Sequence, residues 1–277
     1  MKFALLGYPL GHSLSPEIFR EIFNEAGVKG SYYLVEIPNR RLFYAFASDA
    51  LKDGYVGLNV TIPYKIDAYY LAEDKTEIAT RVKNANFLFL KNNRLTADNT
   101  DYYGFLNSVK NLLSFKAQKA AVIGYGGSAR TVICALKDLD YKEIYVIARN
   151  VERAKDRLKD FLSDGTIRII SRVDEFRDEI DLIVNASPAG MYPHTEVLPF
   201  GAELISCLGP HGLVYDLIYN PPETKLLKEA KIKGFKTMNG LEMLVLQAVK
   251  SFMNVSDIEI NEINVLKRIM KDYGKES

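Results

Sequence analysis

Apolar positions fall into short unbroken runs separated by amphipathic stretches, and this alternation repeats along the chain. "KFALLG" (2–7) predicts a buried strand stopped by Gly7 and Pro9. "SPEIFREIFNEAG" (15–27) predicts a helix, with Ser15 as N-cap, Pro16 and Glu17 in the first turn, and Gly27 at the close. "YYLVEI" predicts a second strand ended by Pro38, "RRLFYAFASDAL" an amphipathic helix, and "GYVGLNVTI" a third strand. "YKIDAYYLA" and "DKTEIATRVK" have helical spacing, and "NFLFLKNNRLTADNTD" predicts a hairpin turning at Asn92 and Asn93. Strand and helix in alternation give a mostly parallel α/β sheet.

A second rhythm begins near residue 118. "KAAVIG" is a buried strand, and "YGGSARTVICALKDLD" is a glycine loop running into a helix. "EIYVIARN", "IRIIS", "IDLIVNAS", "LVYDLIY" and the short "KTMN" supply further strands. "VERAKDRLKDFL" and "PETKLLKEAKIKG" supply helices. This is the pattern of a doubly wound, Rossmann-like unit. From Gly240 onward the pattern is helical, and these helices are expected to return to the first domain. The expected division is a substrate and catalytic domain at 1–103, joined by 240–277, and a nucleotide domain at 104–239.

Composition narrows the classes. The 277 residues suffice for two cores, and a net charge of +1 gives no general pull toward nucleic acid or a membrane surface. No stretch approaches the roughly 20 apolar residues of a membrane span, and the apolar run at Met1–Leu6 is too short for a signal peptide. Cys134 and Cys207 stand in apolar surroundings without CxxC spacing, which predicts buried, reduced thiols and a cytoplasmic protein. Three histidines and no Cys/His cluster predict no metal.

The chemistry sits at the ends of the predicted strands. Gly124, Gly126 and Gly127 follow an apolar strand and precede a helix, where backbone N–H groups can approach a diphosphate. The next strand ends in Ala148, Arg149 and Asn150, with Arg153 a turn later, where an NAD-binding unit usually carries an acid. An arginine pairs with a 2′-phosphate, so the expectation is NADP. "NASPAGM" (185–191) puts small residues at another strand end. In the first half, Ser13 and Ser15 could hold a carboxylate beside a helix start, while His12 reads as structural. "NVTIPYK" (59–65) delivers Thr61 and Lys65 to a proline-bent corner, and Asn86, Asn99, Thr100 and Asp101 stand at further strand ends. Opposite a nucleotide domain, that set suits a polyhydroxylated acid.

Seven motifs in order, "GYPLGHSLSP", "NVTIPYK", "DNTDYYGF", "GYGGSAR", "NASPAGM", "YDLIYNPPETKLL" and "NGLEMLVLQAVKSF", resemble the shikimate dehydrogenase family along almost the whole chain. The resemblance implies two α/β domains, a mostly parallel substrate domain and a Rossmann-like NADP-binding domain, with the active site in the cleft. It implies NADPH-dependent, reversible reduction of 3-dehydroshikimate to shikimate in the chorismate pathway. A quinate/shikimate dehydrogenase, a dehydrogenase-like paralogue and a non-enzymatic NADP-binding regulator on the same fold are the alternatives. Lys65 and Asp101 are implied as the catalytic pair, and Ser13, Ser15, Thr61, Asn86, Tyr219 and Gln247 as substrate contacts. Gly124, Gly126, Gly127, Ser128, Ala129, Arg149, Asn150, Ser187, Ile218, Gly240 and Met243 are implied as cofactor contacts. The chain departs from the family pattern at Phe19 and Arg20 (commonly His-Asn), at Phe87 (commonly Thr) and at Ala148 (commonly Asn). The implied state is a monomer or homodimer whose partners are small molecules.

Overall fold

The structure is a computed structural model of the full chain, described for residues 1–11, 13–110, 112, 118–176 and 179–273. His12 lies outside the described residues. Two compact units divide the chain: Met1–Gly104 with Glu242–Ser277, and Phe105–Leu241.

The first unit is built on a six-stranded sheet of order β2-β1-β3-β5-β6-β4. Its strands are β1 (Lys2–Gly7), β2 (Ser31–Glu36), β3 (Gly57–Val60), β4 (Asp74–Lys75), β5 (Phe87–Lys91) and β6 (Arg94–Asp98). β1 runs parallel to β2 and β3, whereas β5 runs antiparallel to both β3 and β6. The hairpin turn falls at Asn92 and Asn93, whose φ of 52° and 60° are the left-handed values a two-residue turn requires and asparagine tolerates. Helices α1 (Ser15–Ala26), α2 (Arg40–Ala50), α3 (Lys65–Leu71), α4 (Glu77–Val82), α5 (Thr100–Val109), which runs into the second unit, α9 (Leu241–Met253) and α10 (Glu262–Tyr273) complete the helices that begin in this unit or at its edge. One face buries Phe3, Phe19, Phe23 and Phe252, with Phe3 and Phe19 centroids 4.8 Å apart. The other buries Ala4, Leu6, Phe43, Tyr64 and Leu88.

Several expectations are corrected. The third strand is only Gly57–Val60; Thr61 N–H and the Ile62 carbonyl still bond to the Leu6–Tyr8 stretch, but Pro63 has no N–H to carry the ladder further. Asp74–Lys75, expected to be helical, forms a two-residue edge strand parallel to β6. Ser15 is the first residue of α1, not its N-cap; Leu14 holds the cap position, and the Ser13 hydroxyl accepts the Ser15 N–H at 3.3 Å. Cys134 is buried as expected, but Cys207 is partly exposed. The unusual Phe19 and Phe87 are both core residues. A Cβ on Gly57 would come within 2.6 Å of the Phe87 ring, so the sheet leaves room for that ring.

The second unit has an all-parallel sheet of order β12-β11-β10-β7-β8-β9. Its strands are β7 (Lys119–Ile123), β8 (Glu143–Ile147), β9 (Ile167–Ile170), β10 (Ile180–Asn185), β11 (Leu208–Asp216) and β12 (Lys236–Met238). Helices α6 (Gly127–Asp138), α7 (Val151–Leu158) and α8 (Lys225–Ile232) lie between them in sequence. The strands are nearly continuous apolar runs because both faces of a parallel sheet are covered. The order reverses between β7 and β10, the switch point at which open α/β sheets bind ligands.

Candidate active site

Lys65 opens α3, and its neighbours fix it from both sides. The Tyr64 ring stacks on Phe43 at 4.8 Å, and its hydroxyl donates to the Ile37 carbonyl at 2.6 Å. Asp67 is held by Arg40 at 3.0 Å and accepts the Tyr44 hydroxyl at 3.1 Å. The Lys65 carbonyl accepts the Ala85 N–H at 2.8 Å, which ties the start of α3 to the approach to β5. From this base, Lys65 Nζ donates to Asp101 Oδ2 at 2.5 Å, with the side chains 15% and 10% exposed. Lys65 Nζ makes no other hydrogen bond among the described residues.

Asp101 is loaded on its second oxygen too: Asn86 Nδ2 donates to Asp101 Oδ1 at 2.9 Å. The amide orientation is not arbitrary. Asn86 Oδ1 accepts the Thr100 backbone N–H at 2.6 Å, and a backbone N–H only donates, so the NH2 end must face Asp101. Asn86 Nδ2 also reaches Thr100 Oγ1 at 3.0 Å and Gln247 Oε1 at 3.2 Å. Ser251 Oγ donates its proton to the Gln247 carbonyl at 2.9 Å, so Thr100 Oγ1 donates to Ser251 at 3.0 Å. Asn59 Nδ2 donates to Ser251 Oγ at 2.9 Å, and Asn59 Oδ1 accepts the Tyr32 hydroxyl at 3.1 Å. Asn59, Asn86, Thr100, Gln247 and Ser251 are all buried. A buried network is stabilising only when its members are satisfied, and here donors face acceptors throughout, with the two N–H of Asn86 Nδ2 shared among three acceptors. The polarity converges on Asp101, whose carboxylate receives two donors.

Ser13 Oγ donates to Ser15 Oγ at 3.1 Å, pairing the two hydroxyls at the start of α1. Thr61 follows β3, and its N–H donates to the Leu6 carbonyl at 2.9 Å. A Cβ on Gly7 would lie 2.4 Å from Thr61 Cγ2, so only glycine lets the exits of β1 and β3 meet this closely. The Thr61 hydroxyl makes no hydrogen bond among the described residues. Asn59 and Ser251 join the site from the structure alone. Ser251 sits in an apolar helical run, and its spacing of four from Gln247 is the one available signal in the sequence.

The second unit gathers most of the residues expected to touch a dinucleotide. Gly124 has φ 105°, and a Cβ there would meet the Ala186 carbonyl at 3.2 Å. The loops after β7 and β10 therefore abut at the switch point. Gly126 caps α6 with open space where a side chain would stand, and Gly127, Ser128 and Ala129 form the first turn, with their N–H groups along the positive end of the helix. Asn150 caps α7 by accepting the Arg153 N–H at 2.9 Å. Arg149 and Arg153 are exposed beside it and make no ion pair among the described residues. Ser187, Ile218, Tyr219 and Gly240 lie on the loops after β10, β11 and β12, whereas Met243 and Gln247 lie in α9 of the first unit.

The family model for the shikimate dehydrogenase substrate binding domain matches residues 5–88, and the model for shikimate / quinate 5-dehydrogenase matches 107–194. A shikimate dehydrogenase (NADP(+)) of Caldicellulosiruptor saccharolyticus is 35% identical over 276 residues, covering 99% of both chains. The chain belongs to the shikimate dehydrogenase family. Solved members of that family agree with the fold. The crystal structure of a chorismate mutase/shikimate 5-dehydrogenase fusion protein from Clostridium acetobutylicum matches with a TM-score of 0.86 at 34% identity, over 99% of this chain and 97% of that one. Shikimate 5-dehydrogenase from Thermus thermophilus, in complex with NADP(H) and shikimate, matches with a TM-score of 0.85 at 30% identity, over 96% and 97%. Among the described residues no helix is long and apolar enough to cross a membrane, and no cluster of His, Cys, Asp and Glu could hold a metal.

Proposed function

We propose that this chain is a shikimate dehydrogenase that reversibly reduces 3-dehydroshikimate to shikimate with NADPH, a step toward chorismate and the aromatic amino acids. The observation that carries the reading is the Lys65–Asp101 pair at 2.5 Å, oriented by Asn86, in the unit matched by the family's substrate-binding model. The second unit fits NADP in its own chemistry. The glycine turn leaves the α6 N-terminus open, no acid stands at the end of β8, and two exposed arginines flank the α7 cap. An acid there would repel a 2′-phosphate, whereas Arg149 can pair with it.

NADP, when bound, supplies or takes up the hydride at the ring carbon. The protein's task is the proton. As the ketone oxygen gains negative charge, Lys65 Nζ gives it a proton; in the reverse direction Lys65 takes the proton back. Asp101, with both oxygens engaged, holds the ammonium in one orientation. Ser13 and Ser15 offer paired hydroxyls to the substrate carboxylate, Thr61 and Asn86 bind its ring hydroxyls, and Tyr219 and Gln247 complete the contacts. Ser187, Ile218, Gly240 and Met243 border the cofactor, together with Gly124, Gly126, Gly127, Ser128, Ala129, Arg149 and Asn150. The enzyme is read as cytoplasmic, and as a monomer or homodimer.

The second matched model names quinate as well as shikimate, so both acids belong in the test. Purified protein is assayed for reduction of NADP and of NAD with shikimate and quinate side by side. The expected result is turnover with shikimate and preference for NADP. Turnover of neither acid sinks the reading, and quinate with NAD as the better pair replaces it.

A further inference from the structure

Asp216, at the end of β11, is fully buried, and the chemistry above gives it no role. It makes no ion pair among the described residues. Three neutral donors hold it instead. Asn185 Nδ2 at 3.0 Å and the Ile218 N–H at 3.1 Å reach Oδ1, and the Thr224 hydroxyl at 2.7 Å reaches Oδ2. Burial outweighs these bonds and pushes its carboxyl up to about 6. A carboxylate kept in so costly a place is one whose acceptor atoms are needed there.

The donors come from two segments leaving the sheet: Asn185 from the end of β10, and Ile218 and Thr224 from the stretch that joins β11 to α8. Asn185 ends β10, and its Oδ1 accepts both the N–H of Ser187 at 3.1 Å and the Ser187 hydroxyl at 2.7 Å. Asn185 Nδ2 also reaches the Ala189 carbonyl at 3.1 Å, and its own carbonyl accepts the Leu217 N–H at 3.0 Å. The Ile218 carbonyl in turn accepts the Gly240 N–H at 3.1 Å. A Cβ on Gly240 would lie 2.0 Å from the Leu217 oxygen, so the segment after β12 is pressed against the segment after β11. Thr224 caps α8. The exits of β10, β11 and β12 thus hang on one Asp–Asn pair, at the strand edge where open α/β sheets bind ligands.

We infer that Asp216, acting with Asn185, is a positioning residue for cofactor binding: its two oxygens fix the segments that carry Ser187, Ile218 and Gly240. The inference rests on the reading of the second unit as NADP-binding. It is separable from the proton chemistry of Lys65, because the groups that hold Asp216 all lie in the second unit.

The test combines NADPH titration by fluorescence with steady-state kinetics on the full chain. Asp216→Ala leaves Asn185 and Ile218 without their acceptor. The KM for NADP and the Kd for NADPH are expected to rise about tenfold or more, the scale of an unpaired buried donor. The KM for shikimate is expected to rise clearly less than that, because Tyr219 alone among the proposed substrate contacts lies on these segments, a split that general loss of fold would not produce. Asp216→Asn keeps an oxygen for both donors and an amide for Thr224 Oγ1, so it is expected to restore cofactor affinity to within about threefold of wild type. Asn185→Ala is expected to repeat the defect of Asp216→Ala. In cofactor-free wild-type protein the amides of Ser187 and Ile218 are expected to exchange as slowly as neighbouring strand amides, a readout that needs no variant. Folded Asp216→Ala with wild-type NADPH affinity, equal losses for cofactor and shikimate, or rapid exchange at Ser187 and Ile218 would each overturn the inference. Wild-type protein that does not bind NADPH would overturn the NADP reading along with it.

Discussion

Two buried aspartates, one in each unit, meet the same cost in opposite ways. Asp101 has a cation in contact, Lys65 at 2.5 Å, with Asn86 on its other oxygen. Asp216 has no cation and depends on three neutral donors, and its carboxyl is pushed up to about 6. Two cations of its own unit, Arg149 and Arg153, stand exposed at the α7 cap. The first unit thus keeps charge inside and paired, where the proposed proton transfer takes place. The second keeps its carboxylate as an acceptor and leaves positive charge outside, where the proposed 2′-phosphate contact lies. Neither aspartate is explained by composition or residue type; what stands beside it decides what it does.

The sharpest way to break the comparison is to remove the cation to which proton transfer is assigned. Lys65→Ala is expected to lower kcat by about 10²–10⁴-fold, the range of positioned acid–base catalysis, with a modest change in the KM for shikimate. Turnover near wild type would contradict its role. Removing the unreactive charge should instead act on stability. Asp216 carries a folded carboxyl raised to about 6, against about 3.9 for an ordinary aspartate. Its protonated form is the favoured one in the folded chain, so its contribution is full below about pH 4 and is lost as pH rises through about 6. Asp216→Asn does not titrate. Its stability relative to wild type is therefore expected to improve by on the order of 2 kcal/mol between about pH 4 and pH 7, measured by denaturant unfolding at each pH. A pH-independent difference would mean that Asp216 is not held as the structure has it.

Arg149→Ala tests the outward charge. Loss of one charge-assisted pair costs about 1.5–3 kcal/mol, so the KM for NADP is expected to rise by about 10–100-fold while that for NAD is unchanged. Equal effects on both cofactors would remove Arg149 from the 2′-phosphate. The smallest effect is expected at Ser251→Ala, which strips one member from the network behind Asp101. About 1 kcal/mol of stability is expected to be lost on thermal unfolding, with kcat lowered only a few-fold. A wild-type melting temperature and kcat would detach Ser251 from the site.

Much of this is legible in the residues, and the exceptions have physical reasons. The strand–helix alternation, the asparagine turn of the β5–β6 hairpin and the glycine loop before α6 are local signals, and local geometry realises them. Lys65 and Asp101 can be named because their motifs are short and chemically unusual. Their contact is a property of the fold: 36 positions separate them. β4 escapes the pattern because two polar residues carry no period, and only pairing with β6 makes them a strand. Ser15 looks like a cap in sequence, but the Ser13 hydroxyl reaches its N–H and moves the helix start. Phe87, which departs from the family pattern, is a core residue, visible only once Gly57 and Phe3 are beside it. Asp216 stands inside the apolar run "LVYDLIY", but nothing nearby in sequence shows which donors hold its carboxylate, because Asn185 is 31 positions away.

On the proposed mechanism labour is divided: proton transfer belongs to the Lys65–Asp101 pair in the first unit, and all the proposed cofactor contacts but Met243 lie in the second. NADPH titration into Lys65→Ala protein, followed by fluorescence, tests it most directly. A Kd within about twofold of wild type is expected in a protein that has lost at least about a hundredfold in turnover. A Kd weakened about tenfold or more would contradict it, because Lys65 would then be part of the cofactor site.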